Sequence, residues 1–111
     1  MKLFKSVLSL SCIATAPVEA HQVIGFDDAP TTADDQPVKG VSLNPAKVGE
    51  DFAAEALGTI QVTASGVIAK GSRLMSAAEG RVKVVGATPA NAFAQALTDA
   101  NDGELVEILI R

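Results

Sequence analysis

Hydrophobic and polar residues alternate along several short stretches of the chain, as expected for strands with one buried face. The clearest cases are residues 58–64, which read G-T-I-Q-V-T-A, and residues 81–85, which read R-V-K-V-V. Residues 105–110, L-V-E-I-L-I, are apolar enough to predict a final strand that is buried on both faces. Other short strands are predicted at residues 8–14, 22–26, 38–43, 67–69 and 73–76.

One sequence pattern occurs twice, because residues 40–52 align with residues 94–106 without a gap. The matches, each 54 residues apart, are Leu43 with Leu97, Ala46 with Ala100, Gly49 with Gly103 and Glu50 with Glu104. A looser echo precedes this alignment and pairs Val18 with Val67 and Val23 with Leu74. Such a repeat indicates one supersecondary unit used twice. We therefore expect a single domain over residues 1–111, with an N-terminal strand or arm at residues 1–11 and pseudo-repeats at residues 12–57 and 58–111.

The repeat also decides how one ambiguous segment is interpreted. Residues 51–57, D-F-A-A-E-A-L, favour a helix by propensity, but their counterpart near the C-terminus is rich in β-branched residues, so we predict a strand. Residues 92–98 fit either a strand or a single helical turn, and residues 27–37 form a loop with two prolines. About nine or ten short strands result, with turn signals every 6 to 12 residues. This spacing predicts an all-β fold, a compact small β-barrel or sandwich built from two pseudo-repeated halves.

Composition limits the core and the partners. The chain is 48% hydrophobic but only 4% aromatic, so its core consists of small aliphatic side chains, and other subunits are expected to complete part of the apolar surface. The net charge is −4 and no basic stripe is present, which argues against direct nucleic-acid binding. The aspartates of residues 27–37 are expected to form a solvated loop, with an interaction site as the alternative. No stretch has the roughly 20 apolar residues of a membrane span.

Candidate chemistry is sparse. Cys12 lies in a predicted strand and is expected to be a buried thiol, and His21, the single histidine, is expected to be exposed or at a rim. No Cys or His joins His21 at metal-ligand spacing, no nucleophile elbow surrounds a serine, and the glycines do not form a phosphate-binding loop. The sequence therefore predicts no catalytic, cofactor-binding or metal-binding residues, and no enzyme.

The N-terminus has two interpretations. Residues 1–20 match the pattern of a secretory signal, with Lys2 and Lys5 as its basic region and a cleavage site before His21. However, Leu8, Leu10 and Cys12 alternate with Ser9, Ser11 and Ile13, a pattern closer to period two than to a uniformly apolar helix, which favours a strand of the mature domain. The first interpretation makes the chain a secreted or periplasmic small β-domain with a ligand-binding role, and it remains the alternative.

The order of the segments is similar to a known family. An N-terminal L-S-L-S passes into V-I-G-F-D-D, then K-G-V-S-L, G-T-I-Q-V-T-A-S-G-V-I-A-K-G, and finally A-x-A-L-T-D-A-x-x-G-E-L-V-E-I-L-I. From Lys2 to Arg111 the chain resembles the capsid cement, or head decoration, proteins of tailed bacteriophages. The resemblance rests on the order and spacing of these Ala-, Val- and Gly-rich motifs more than on any single one.

The resemblance implies a structural virion protein on the exterior of the capsid, where it binds the major capsid protein and cements neighbouring subunits. It further implies self-association as a homotrimer, with a dimer as the alternative, and no cofactor, nucleic acid or membrane partner. Because an unpaired edge strand can join a neighbour's sheet, we expect residues 1–11 to contact the capsid or an adjacent copy. The contact residues are expected to be Lys2, Phe4 and Lys5, with a simple edge strand as the alternative.

Overall fold

The structure is a computed structural model that describes residues 5–87 and 89–110. Over these residues the chain forms eight strands and one short 3-10 turn, Ala78–Gly80. The strands are β1 (Lys5–Ile13), β2 (Val23–Gly25), β3 (Val38–Ser42), β4 (Asp51–Thr63), β5 (Arg73–Ala77), β6 (Arg81–Val84), β7 (Ala94–Ala96) and β8 (Leu105–Ile110). The all-β prediction is confirmed, and no helix within the described ranges has the length and hydropathy of a membrane span.

One antiparallel sheet contains all eight described strands and curls on itself. The strand order is β2-β3-β4-β8-β7-β5-β6, and β1 pairs with β4 outside this path. A parallel bridge from Ala64 to Val82 brings the end of β4 back to β6 and nearly closes a barrel. In the N-terminal half, the position that corresponds to this bridge has a hydrogen bond instead, from the backbone N–H of Thr15 to the carbonyl of Asp28 at 3.3 Å. The barrel-like architecture agrees with the fold predicted from strand spacing.

Several predicted elements differ from the observed ones. Two predicted strands are one, because residues 51–57 and 58–63 together form the long β4. The strand predicted at residues 67–69 is wrong: only Ile68 pairs, through a single bridge to Ala100, since the chain turns at Gly66 and Gly71, both with positive φ. The ambiguous segment at residues 92–98 contains a short strand, β7. The prediction that β8 is buried on both faces is also wrong, because Leu105 is 48% exposed.

The two halves repeat the same hydrogen bonds. Val18 and Ala46 exchange backbone bonds of 2.9 Å, as Ile68 and Ala100 do at 2.8 and 2.9 Å. The C-terminal parts therefore correspond at the predicted offset of 54, but the N-terminal parts correspond at 50, so Val18 matches Ile68. The looser echo, which aligned Val18 with Val67, was out of register by one residue. The proposed boundary between residues 57 and 58 lies inside β4, which pairs with β1 in one half and with β8 in the other.

The interior consists of two adjoining cores rather than one shared interior. The smaller core contains Cys12, Ala14, Val18, Ile24, Ala46, Phe52 and Ala54. Their counterparts all belong to the larger core, which also contains Val23 and Val41. Since Val23 and Ile24 are consecutive but lie in different cores, β2 is buried on both faces. The wall between the cores is thus formed by β2, β3 and the first part of β4.

The loop of residues 27–37, called the strap below, connects the two halves. Thr31, 2% exposed, donates its hydroxyl to the carbonyl of Ala77 at 2.8 Å. The Asp35 carboxylate accepts the backbone N–H groups of Ala90 and Asn91, both at 2.8 Å. The expectation of a simply solvated loop is therefore wrong for these residues, because the strap is held along β5 and fixes the loop before β7.

Candidate functional site

Of the three contact residues predicted from the sequence, Lys2 and Phe4 lie outside the described residues. Lys5 is the first residue of β1 and pairs with Thr59 of β4, and only its backbone is described. The structure therefore brings Lys5 to the edge of the sheet, and the contact role of all three residues remains a prediction.

Residues 8–11 of the nine-residue strand β1 are all exposed. Leu8 and Leu10 are 49% and 36% exposed, and the intervening serines, Ser9 and Ser11, are exposed as well. Leu8 lies opposite Leu57, itself 37% exposed, so the three leucines extend across β1 and β4. Burial begins only at Cys12. This part of the fold thus presents a strand with both faces accessible, and contiguous exposed apolar side chains commonly mark interaction surfaces.

The outer edge of β1 is closed at its C-terminal end. The strap brings Asp28 beside Ile13, whose N–H points to its carboxylate at 3.4 Å, while Thr15 donates its hydroxyl to the Asp27 carbonyl at 2.7 Å. Lys39 pairs with Asp28 at 2.6 Å, and both side chains are about one-fifth exposed. The hydrogen bond from Lys39 holds the pKa of the Asp28 carboxyl below its ordinary value, and the Ile13 N–H acts in the same direction.

Cys12 lies next to this ion pair and is 3% exposed, so the predicted buried thiol is confirmed. Burial raises the pKa of the Cys12 thiol, and nearby Lys39 only partly opposes this. Because the thiolate is the reactive form, a raised pKa makes this cysteine less reactive at neutral pH.

His21 is exposed, as predicted, but it also has a structural role that the sequence did not reveal. Its φ of 66° is in the left-handed region, where the matching residue of the second half is Gly71. The ring Nδ1 donates to the carbonyl of Gln61 at 3.0 Å, two residues past Thr59, the partner of Lys5, and so caps this position on the edge of β4. Across the described residues, no group of three His, Cys, Asp or Glu side chains is placed to hold a metal ion.

Two matching surface clefts lie at opposite ends of β4. The first, of about 320 Å³, has Val18 and Ala46 as its floor, with Glu50 at its rim. The second, of about 250 Å³, has Ile68 and Ala100 as its floor, with Glu104 in the matching place. Each rim glutamate accepts a backbone N–H within its own turn, at 2.7 and 2.8 Å. The repeat thus gives the molecule two similar concave surfaces with different lining residues.

The described residues thus form a small all-β protein with an exposed edge strand and two shallow surface clefts. The family model described as phage cement protein matches residues 4–111, and the chain belongs to this family. A comparison with curated proteins finds no match. Among solved structures, the chain is similar to the N base of the head fiber gp8.5 in bacteriophage phi29, with a TM-score of 0.74 and 22% identity. The likeness covers 94% of this chain and 93% of that one.

These comparisons agree with the resemblance seen in the sequence. Family membership makes the chain a structural, capsid-associated bacteriophage protein. The head-fiber structure shares its all-β fold over nearly the whole length.

Proposed function

We propose that the protein binds the outer surface of the phage capsid and cements neighbouring major capsid protein subunits, thereby stabilising the head. One observation carries the proposal: in a member of the cement family, the N-terminal strand β1 stands at the sheet edge with Leu8 to Ser11 exposed. A shell offers the same contact many times, so individually weak contacts add up through symmetry. Self-association, as a homotrimer or a dimer, belongs to the same proposal.

The N-terminal arm is proposed to make the capsid contact. Lys2 and Lys5 supply positive charge to a chain whose net charge is −4, and Phe4 supplies one of only four aromatic side chains. Aromatic side chains such as Phe are enriched at the centre of protein interfaces, and charged side chains at the rim steer the approach of a partner of opposite charge. If residues 1–11 were instead a plain edge strand, these side chains would contribute little to binding.

The arm is tested by replacing Lys2→Glu, Phe4→Ala and Lys5→Glu together. The variant should remain folded by circular dichroism but lose occupancy on expanded capsids that lack the native protein, measured by co-sedimentation. The matched control is Lys70→Glu, which reverses one exposed lysine in a turn of the second half and should bind like wild type. Unchanged occupancy of the triple variant would reject the arm. Failure of the wild-type protein to bind or heat-stabilise capsids would reject cementing.

The alternative function, a secreted or periplasmic ligand-binding domain, requires the removal of residues 1–20. That removal would take away β1, which covers one edge of β4 over residues 51–59, and also Cys12, Ala14 and Val18 of the smaller core. Three of the seven buried side chains of this core would be lost. The fold therefore favours the capsid role over the cleaved form.

A further inference from the structure

The backbone of β1 has an unused edge in the part of the chain that the structure describes. Ala14 donates its N–H to Glu50 across the β4 side at 2.9 Å, whereas the N–H of Ile13 points the other way, to Asp28. Backbone groups alternate in direction along an antiparallel strand, and the register from Ser9 to Ile13 is regular. The N–H and C=O groups of Ser9 and Ser11 therefore point away from β4, and the described residues offer them no backbone partner.

This unused edge is short and has defined ends. The strap closes it at Ile13, and register shifts between Ser6 and Leu8 and between Leu8 and Ser9 interrupt the regular ladder on the other side. The edge is flanked by Leu8 and Leu10 on one face and by the small side chains of Ser9 and Ser11 on the other. Side chains of an incoming strand would thus pack against leucines on one face of the sheet and have room beside the small serines on the other.

The second half of the molecule shows what covers the same edge. At the offset of 50 that relates the two halves here, Ser9 corresponds to Thr59 and Ser11 to Gln61. Thr59 pairs with Lys5 of β1, and the carbonyl of Gln61 accepts the His21 ring Nδ1. Where the chain supplies an antiparallel strand and a side-chain cap, this edge is protected, as natural sheets require. In the first half the corresponding groups are left open.

We propose that the edge of β1 at Ser9 and Ser11 receives an extended, antiparallel strand of the capsid shell protein, with aliphatic side chains placed against Leu8 and Leu10. This inference rests on the proposed function and names how the shell is held. Main-chain hydrogen bonds supply the affinity in such strand addition, and alternate side chains supply the specificity. An edge of two outward-facing residues is far smaller than the roughly 800 Å² per partner of a stable interface, so it would not hold two free copies together. On a shell the contact is repeated and acts together with others, so a short edge is enough there.

Proline at the two serines tests the edge. Ser9→Pro with Ser11→Pro removes only N–H groups that point away from β4, and proline is tolerated where the N–H of an edge strand faces outward. Capsid affinity should fall roughly tenfold to a hundredfold from the loss of two edge hydrogen bonds, with the thermal midpoint largely kept. Leu10→Pro is the matched control, because the N–H of Leu10 points toward β4. Its loss breaks the β1–β4 ladder and should destabilise the fold itself.

A second variant guards against a proline effect on folding. Ser9→Lys with Ser11→Lys keeps the backbone intact, places two charges on exposed positions and should also weaken binding, since edge lysines oppose strand addition. Wild-type capsid affinity in both double variants would overturn the inference. So would a change of oligomeric state in the free double variants, measured by sedimentation, because it would assign the edge to a second copy. If wild type binds capsids and only the arm variant loses binding, strand addition fails while the proposed function stands.

Discussion

Replacing Gly40 with alanine is expected to destabilise the wall between the two cores. A Cβ at this position would lie 2.5 Å from the carbonyl oxygen of Glu55, 3.0 Å from its carbonyl carbon and 3.2 Å from the Ala54 Cβ. These atoms belong to β4, which is paired on both sides here, so they cannot move away without loosening its ladders. Overpacking costs about 1–3 kcal/mol and each weakened hydrogen bond about 0.5–1.5 kcal/mol. Together they predict a loss of about 2–4 kcal/mol.

Equilibrium urea unfolding measures this loss, with Gly86→Ala as the control. An alanine Cβ at Gly86 would meet no atom within 4 Å, so that change should be neutral or stabilising by up to about 1 kcal/mol. The repeat makes the test sharper: Gly40 corresponds to Ala94, so sequence comparison alone would predict that alanine is accepted. A Gly40→Ala variant within about 0.5 kcal/mol of wild type would refute the close approach of β3 to β4.

Four further predictions concern the strap and its neighbours. Because the pKa of Asp28 is lower in the folded protein, its carboxylate stabilises the fold at pH values above its ordinary pKa of 3.8, and this stability is lost as the pH falls through the lower folded pKa. The Asp28→Asn variant should therefore lose less stability in acid, as measured by unfolding curves at several pH values. The pKa of Lys39 is raised by the same ion pair, so its contribution is lost only at alkaline pH, above 10.5. Thr31→Val removes the donor to the Ala77 carbonyl and should cost about 1–3 kcal/mol in the same assay. Cys12 should react with a thiol reagent only as fast as the fold opens locally around it. Rapid labelling of the native protein would contradict its burial.

The sequence predicted the candidate surface only in part. It identified residues 1–11 as a strand or arm, because serines alternate with leucines at residues 8–11. It could not show that Ser9 and Ser11 turn their backbone groups outward, since main-chain direction depends on which strand lies alongside. The sequence also could not show the hydrogen bond from the His21 ring to the Gln61 carbonyl, because the two residues are 40 positions apart. The sequence echo, which paired Val18 with Val67, did not align His21 with Gly71; that correspondence follows only from the offset of 50 seen in the structure.

Local pattern by itself determined most strands and the repeat, because side-chain alternation and turn residues act over a few positions. With the halves aligned as the structure shows, Val23 and Val41 of the wall correspond to Arg73 and Gln95 of the second half. Tertiary structure decided that β4 serves both halves, that β2 is buried on both faces and that one edge of β1 stays open. These features depend on hydrogen bonds and packing between residues far apart in the chain, which no short stretch of sequence specifies.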